Sequence, residues 1–252
     1  MRLAGRIALV TGSSRGIGAG IARRLAVDGA KVVLHASRSR ELVDRVAAEI
    51  RAGGGTADIV LGDLAEGDIA AQVVRDAFAV HGALDILVCN AGAPASGPVT
   101  GLEPAAIDAH LALNLRSVIL QVIEYARLTT SDQGRVVLIS SGSAAVPVGN
   151  AALYSAAKAA ADGFIRSVAH ELGERGITCN SVQPGLTLTR ELDPAISDKV
   201  ARWNALRRPG QVEDIADVVA FLASDDSRWL TGLTLPANGG QVTSATTIIA
   251  KG

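Results

Sequence analysis

The 252-residue chain is predicted to be an α/β protein built on one doubly wound, seven-stranded parallel sheet with helices on both faces. Three observations lead there. Short apolar runs rich in strand formers alternate with helical stretches from residue 6 to about 235. Apolar residues make up 48% of the chain but aromatics only 3%, so the core must be assembled from Ala, Val, Leu and Ile, which suits helices packed closely on a parallel sheet. The first strand also passes through a glycine-rich turn directly into a helix. No repeat, low-complexity tract or linker interrupts the alternation, so a single domain over 1–252 with right-handed crossovers is expected.

Residues 6–11 form the first strand, followed by Gly12-Ser13-Ser14-Arg15-Gly16-Ile17-Gly18 and a helix over 19–28 that stops at Gly29. Glycines let backbone approach a pyrophosphate whose charge sits at a helix N-terminus. The spacing is Gly-x-x-x-Gly-x-Gly. The second strand, 31–36, ends in Ala36-Ser37-Arg38, with Arg40 close behind and no carboxylate before Glu41. An acidic residue there would accept ribose hydroxyls and repel a 2′-phosphate, whereas serine and arginine suit that phosphate, so NADP(H) is favoured over NAD(H). The alternative is that Arg38 and Arg40 open a solvated helix over 39–52.

The third strand, 56–61, closes at Gly62-Asp63-Leu64. Asp63 either accepts a bond from an adenine amino group or caps the helix at 67–81. The fourth, 84–89, runs into Asn90-Ala91-Gly92, a small-residue turn where backbone can pass close to a ligand. A helical region over about 103–130 carries Asn114 in its middle, where asparagine is a mediocre helix former. Asn114 is therefore either directed inward or simply exposed. The fifth strand, 135–140, delivers Ser141. The sixth, 176–182, runs into Gln183-Pro184-Gly185. Residues 186–211 lose strand and helix continuity and read as a lid or a surface excursion. A helix at 212–223, a last strand near 231–235 and a short tail complete the chain.

Charge balance narrows the partners. Lysine plus arginine (24) nearly matches aspartate plus glutamate (25), and no basic block or basic–aromatic interleaving appears, which argues against nucleic acid. The N-terminal apolar run is too short for a signal peptide, and no uninterrupted apolar stretch reaches the roughly 18 residues of a membrane span. Cys89 and Cys179 lie in apolar runs and read as reduced, buried thiols. A soluble cytoplasmic protein is expected, with no metal site.

The chemistry concentrates in Tyr154-Ser155-Ala156-Ala157-Lys158. At a spacing of four, phenol and ammonium rise from one helical face. A phenol alone is a poor acid or base near neutrality, and a neighbouring cation favours its phenolate. The chain has two tyrosines and four lysines, so the pairing stands out from its composition.

Thr11-Gly12-x-x-x-Gly16-x-Gly18, Asn90-Ala91-Gly92, Asn114, Ser141, Tyr154-x-x-x-Lys158 and Pro184-Gly185 occur in one order with plausible gaps. Together, over about residues 3–240, they resemble the short-chain dehydrogenase/reductase family in its compact single-domain form, with a likeness to 3-oxoacyl-[acyl-carrier-protein] reductase-like members. The resemblance implies a Rossmann fold and hydride transfer between nicotinamide and a ketone or secondary alcohol. It implies Tyr154 as general acid in reduction, or base in oxidation. Lys158 would lower the Tyr154 pKa and bind the nicotinamide ribose, Ser141 would polarise the substrate oxygen, and Asn114 would anchor a water linking Lys158 to solvent. Cofactor contacts implied are Gly12, Ser14, Arg15, Gly16, Ile17, Gly18, Asp63, Leu64, Asn90, Ala91, Gly92, Pro184, Gly185, Thr187 and Thr189, joined by Ser37 and Arg38 from the strand-end argument. A homotetramer formed as a dimer of dimers through the helices at 103–130 and 152–173 is also implied. Thr187 replaces a usual aliphatic residue, Cys89 a usual polar one, and Pro236-Ala237-Asn238-Gly239-Gly240 a more acidic ending. A non-catalytic dinucleotide-binding sensor or scaffold is the alternative from another functional class; a sugar-nucleotide epimerase or dehydratase would need a longer chain.

Overall fold

In the computed structural model of the chain, residues 1–94, 96–189 and 203–241 are described. The strands are β1 (Ile7–Val10), β2 (Lys31–Ala36), β3 (Thr56–Leu61), β4 (Ile86–Cys89), β5 (Arg135–Ile139), β6 (Thr178–Pro184), β7 (Thr187–Leu188), β8 (Gly210–Gln211) and β9 (Thr234–Ala237). The helices are α1 (Gly16–Val27), α2 (Arg40–Ala52), α3 (Ile69–His81), α4 (Pro104–Leu111), α5 (Ser117–Leu128), α6 (Gly142–Ala145), α7 (Ala152–Leu172) and α8 (Val212–Ala223).

Seven strands form one sheet in the order β3-β2-β1-β4-β5-β6-β9, every pair parallel. The chain winds outward from β1 to β3, then returns to place β4 on the other side of β1. That reversal opens a crevice at the carboxyl ends of β1 and β4, where the glycine-rich turn and Asn90-Ala91-Gly92 lie. The pleat divides the core into two layers. Ala8 and Val10 pack with Ile21, Leu25 and Val219 on the α1, α2 and α8 side, while Ile7 and Leu9 pack with Val73, Val122 and Ile165 on the α3, α5 and α7 side. With both faces covered, β1, β4, β5 and β6 are buried throughout, which explains the unbroken apolar runs of β1 and β4, while the buried polar side chains of β6 need partners such as those of Asn180 and Gln183.

Two boundaries differ from the sequence expectation for physical reasons. The helical region at 103–130 is broken by a π-helical turn, Ala112–Arg116, between α4 and α5. There the Asn114 amide donates to the His110 carbonyl at 3.1 Å, and the Ser117 hydroxyl donates to the Leu113 carbonyl at 2.6 Å. The last strand begins at Thr234 rather than near 231. The buried Asn180 side chain donates to the Leu230 carbonyl and accepts the Leu233 N–H, and Thr231 Oγ1 accepts the Cys179 N–H, so these side chains hold 230–233 as a loop.

Cys89 and Cys179 are free and buried, and burial raises both thiols to about 12. Among the described residues, one helical stretch, Pro104–Leu128, is long and apolar enough by composition to cross a membrane. Its Val118, Val122 and Tyr125 are buried in the core beneath the sheet. Within the region expected to form a lid, β7 and β8 form a two-residue parallel ladder, while 190–202 lie outside the described residues, as does most of the C-terminal tail.

Candidate active site

At the cofactor end, Gly12 has φ +65°, and a side chain at Gly18 would stand 2.4 Å from Asn90 Nδ2 and 2.5 Å from the Gly12 carbonyl. Only glycine permits that backbone path and that closeness. α1 starts without a side-chain cap and without an acidic residue in its first turn, and Arg15 precedes it. Its free N–H groups and positive dipole end therefore form an anion site, a fit to a cofactor pyrophosphate. Asn90 locks the turn by donating to the Thr11 and Gly12 carbonyls at 2.8 and 3.1 Å. Thr11 Oγ1 donates to the Val88 carbonyl and accepts the N–H groups of Asn90 and Ala91.

His35, at the end of β2, is a structural support that the sequence reading missed. Its Nδ1 accepts the Gly12 N–H at 3.0 Å, which leaves Nε2 to donate to the Gly62 carbonyl at 2.9 Å. One buried imidazole thus ties the phosphate turn to the turn after β3. Burial holds its pKa below the usual histidine value, opposed by the Gly62 bond and the charge of Asp63.

At the chemical end, α7 carries Tyr154 and Lys158 towards the carboxyl edge of β5. Lys158 Nζ is buried, donates to the Ile139 carbonyl at 2.9 Å and lies 5.9 Å from the Tyr154 ring centre. Burial lowers its pKa to about 8, against the opposing pull of Asp162 and Cys89. Asp162, one turn further along α7, is buried and accepts a bond from Gln183 at 2.8 Å. Tyr154 is pushed above the ordinary tyrosine value by burial, and its contact with the Ser141 hydroxyl pulls it back in part. For these side chains burial therefore outweighs the lowering that the Tyr–Lys spacing alone implies. Ser141 Oγ is held 2.9 Å from Ser143 Oγ and accepts the Ser143 N–H.

Asn114 is fully buried; its Oδ1 accepts the Ala93 N–H at 3.2 Å. That decides between the two sequence alternatives in favour of the inward one. A side chain at Gly92 would sit 2.9 Å from Asn114 Oδ1 and 3.3 Å from Lys158 Nζ, so both groups converge on this turn.

One cavity of about 1020 Å³ joins the two ends. It is lined by every expected cofactor and catalytic residue except Arg38 and Asn114. Asn114 lies behind the wall, at Ala93 and Gly92. Arg38 is exposed and paired with Asp63 at 3.2 Å and Glu66 at 3.7 Å, so its guanidinium stands at the rim. Asp63 Oδ1 accepts the Ala65 N–H, while α3 starts at Ile69 beyond Asp68, so Asp63 closes a turn and does not cap that helix. Arg190, Glu191, Asp193 and Arg202 of the expected lid lie outside the described residues. Among the described residues no cluster of three or more His, Cys, Asp or Glu side chains is placed to hold a metal.

A family model described as enoyl-(acyl carrier protein) reductase matches residues 12–241. Versicolorin reductase of Emericella nidulans is 37% identical over 95% of this chain and 96% of its own length. The 3-oxoacyl-[acyl-carrier-protein] reductase of Synechocystis sp. is 36% identical over 95% of this chain and 98% of its own. The chain belongs to the short-chain dehydrogenase/reductase family. A solved short-chain dehydrogenase from Burkholderia cenocepacia, in complex with NADP, superposes with a TM-score of 0.90 at 40% identity, covering 95% of this chain and 99% of that one. This short-chain dehydrogenase/reductase is thus an oxidoreductase of the CH–OH/C=O class on a Rossmann-type sheet. The sequence contained a signal for His35, a polar residue closing the apolar run after Lys31, but none for its two partners, which come from separate turns.

Proposed function

We propose that the enzyme transfers hydride between NADP(H) and a ketone or secondary alcohol, with Tyr154 as the proton donor in reduction. The observation that carries this reading is the placement of Tyr154 against Ser141 and Lys158 at one end of the cavity, with the uncapped α1 at the other. The nicotinamide supplies or accepts the hydride. Ser141 holds the substrate oxygen beside the phenol. Tyr154 gives its proton to that oxygen as the carbonyl carbon is reduced, and the phenolate left behind is stabilised by the Ser141 hydroxyl and the Lys158 charge. Its raised pKa keeps Tyr154 protonated near neutrality, as an acid in reduction needs to be. Asn114 anchors the water through which Lys158 exchanges protons with solvent.

Ser37 and Arg15 line the cavity, and no carboxylate follows β2 directly, which supports NADP(H) over NAD(H). Arg38 turns from Asp63 to a 2′-phosphate at its rim position. Leu186, Trp203 and Leu206 expose apolar surface, as a lid over a neutral carbonyl compound would. The exposed side of α5, including Ile123, and the small residues of α7 support a homotetramer.

The test is NADPH and NADH binding, followed by turnover on a ketone panel, for the wild type, Arg38→Ala and Tyr154→Phe. NADPH preference lost in Arg38→Ala, together with turnover lost in Tyr154→Phe while NADPH still binds, supports the reading. Equal binding of NADH by the wild type overturns the cofactor assignment. Full turnover in Tyr154→Phe overturns the assignment of the acid.

A further inference from the structure

His110 stands on the last turn of α4, four residues before Asn114, and reaches the chemical end of the site through Tyr154. Its ring meets the Tyr154 ring edge-to-face, with centres 6.0 Å apart and planes at 72°. The Asn114 amide nitrogen lies 3.4 and 3.3 Å from its two ring nitrogens and donates to its backbone carbonyl. The π turn is what lets Asn114 be buried beneath this ring. From α7, the titratable groups facing His110 are Tyr154 and Lys158. Among the described residues, Asp108 and Arg116 of its own helical stretch are exposed, and the Ala93 N–H of the turn after β4 is taken by Asn114. The Lys158 charge, after burial, disfavours a proton on His110.

We propose, resting on the functional reading above, that neutral His110 is a positioning residue for the Tyr154–Asn114–Lys158 group, and that its protonation disrupts that group. A neutral ring lets the Asn114 amide sit against both ring nitrogens and meets Tyr154 without adding charge. An imidazolium sets its positive charge against the Asn114 amide N–H group and repels Lys158. Either Asn114 or the ring must then shift, and the Tyr154 ring loses its support. The consequence is distinctive for reduction. A phenolic acid remains protonated as pH falls, so Tyr154 alone predicts no acid limb in kcat. His110 imposes one below the ordinary histidine value, steepening to about tenfold per pH unit beyond the midpoint.

Two measurements test it. The first is kcat for ketone reduction at saturating NADPH across about pH 5–9, for wild type, His110→Phe and His110→Gln. An acid limb in the wild type that disappears in both variants is the expected result. A limb unchanged by His110→Phe, or no limb in the wild type, overturns the proposal.

The second needs no turnover. The four histidines are followed by NMR through an acid titration, with His110 assigned from its missing signal in His110→Phe. Its midpoint lies below that of an unperturbed histidine and rises in Lys158→Met, while an unchanged far-UV spectrum checks the fold of the variant. A midpoint indifferent to Lys158 overturns the coupling, whether or not a carbonyl substrate has been found. A wild type that turns over no carbonyl while His110 responds to Lys158 overturns the functional reading alone.

Discussion

Lys158→Met should make the protein more stable while destroying its catalysis. The buried ammonium of Lys158 has a pKa of about 8 in place of the ordinary 10.5. At about 1.4 kcal/mol per pH unit, holding that proton in the folded state costs roughly 3 kcal/mol at neutral pH. Methionine fills a similar apolar path without the charge. The substitution also removes the bond to the Ile139 carbonyl and the cation near Asp162, whose Oδ1 already has no partner. Those losses cost about 1–2 kcal/mol together. The net expectation is a gain of about 1–2 kcal/mol at pH 7, or about 3–6 °C in Tm for a chain of this size.

The sign with pH follows from linkage. The unfolded chain keeps the lysine proton up to its ordinary value, whereas the native state releases it near 8. Wild-type stability therefore recovers as pH rises through that window, and the advantage of the variant shrinks. The assay is urea unfolding of both proteins at fixed concentration from about pH 7 to 10. A difference that stays constant over that range, or a variant less stable at pH 7, would refute the desolvation argument.

Three further outcomes follow from the geometry. Gly18→Ala places a methyl group 2.4 Å from Asn90 Nδ2 and 2.5 Å from the Gly12 carbonyl, so NADPH binding measured by fluorescence should weaken at least about tenfold with the far-UV spectrum preserved. His35→Phe leaves the Gly12 N–H and the Gly62 carbonyl without their partner, a cost of about 1–3 kcal/mol for each group, read by thermal unfolding. Because the native state disfavours a proton on His35, the wild type should lose stability as pH falls from the ordinary histidine range towards the depressed native value. In His35→Phe that acid sensitivity should be reduced, with His110 contributing the remainder in the same direction.

Much of the fold was legible because most strands are short, apolar and closed by a turn, and a seven-stranded parallel sheet is the arrangement that buries so many such runs. The Tyr154–Lys158 pair was legible for a local reason: a spacing of four fixes two side chains on one helix face wherever the helix lies. What escaped the sequence depends on partners far along the chain. Arg38 reads as a phosphate ligand by its place after β2. Yet Ala36 is in register with Leu61, which brings the turn after β3 alongside and pairs Arg38 with Asp63 and Glu66. The environment of Tyr154 escaped for the same reason. A spacing announces a neighbouring cation, but only packing shows that burial outweighs it. The break at Asn114 had a local trace, an asparagine between His110 and Ser117, each contributing a side-chain-to-backbone or amide–ring contact. Its conversion into a π turn still required a buried place for Asn114 against the Ala93 N–H.

The carboxyl edge of the sheet supplies more than a location. Where parallel strands stop, backbone carbonyls lose their ladder partners, and each needs another donor. The Val88 carbonyl takes the Thr11 N–H and hydroxyl, the His35 carbonyl takes the Ser13 N–H, and the Gly62 carbonyl takes His35 Nε2. The Ile139 carbonyl takes Lys158 Nζ. Residues that build the site are thus the donors that finish the sheet, and most of them stabilise the fold as they shape the cavity. Lys158 differs, because it alone in this set brings a full charge into the interior. The same bond that satisfies Ile139 holds an ammonium where water is excluded, and that burial lowers its pKa towards neutrality. Thr11→Val, which removes the donor to the Val88 carbonyl and the acceptor of the Asn90 and Ala91 N–H groups, should therefore lose stability where Lys158→Met gains it. That opposition of sign would separate a polar group that finishes the fold from a charge that the fold carries at a cost.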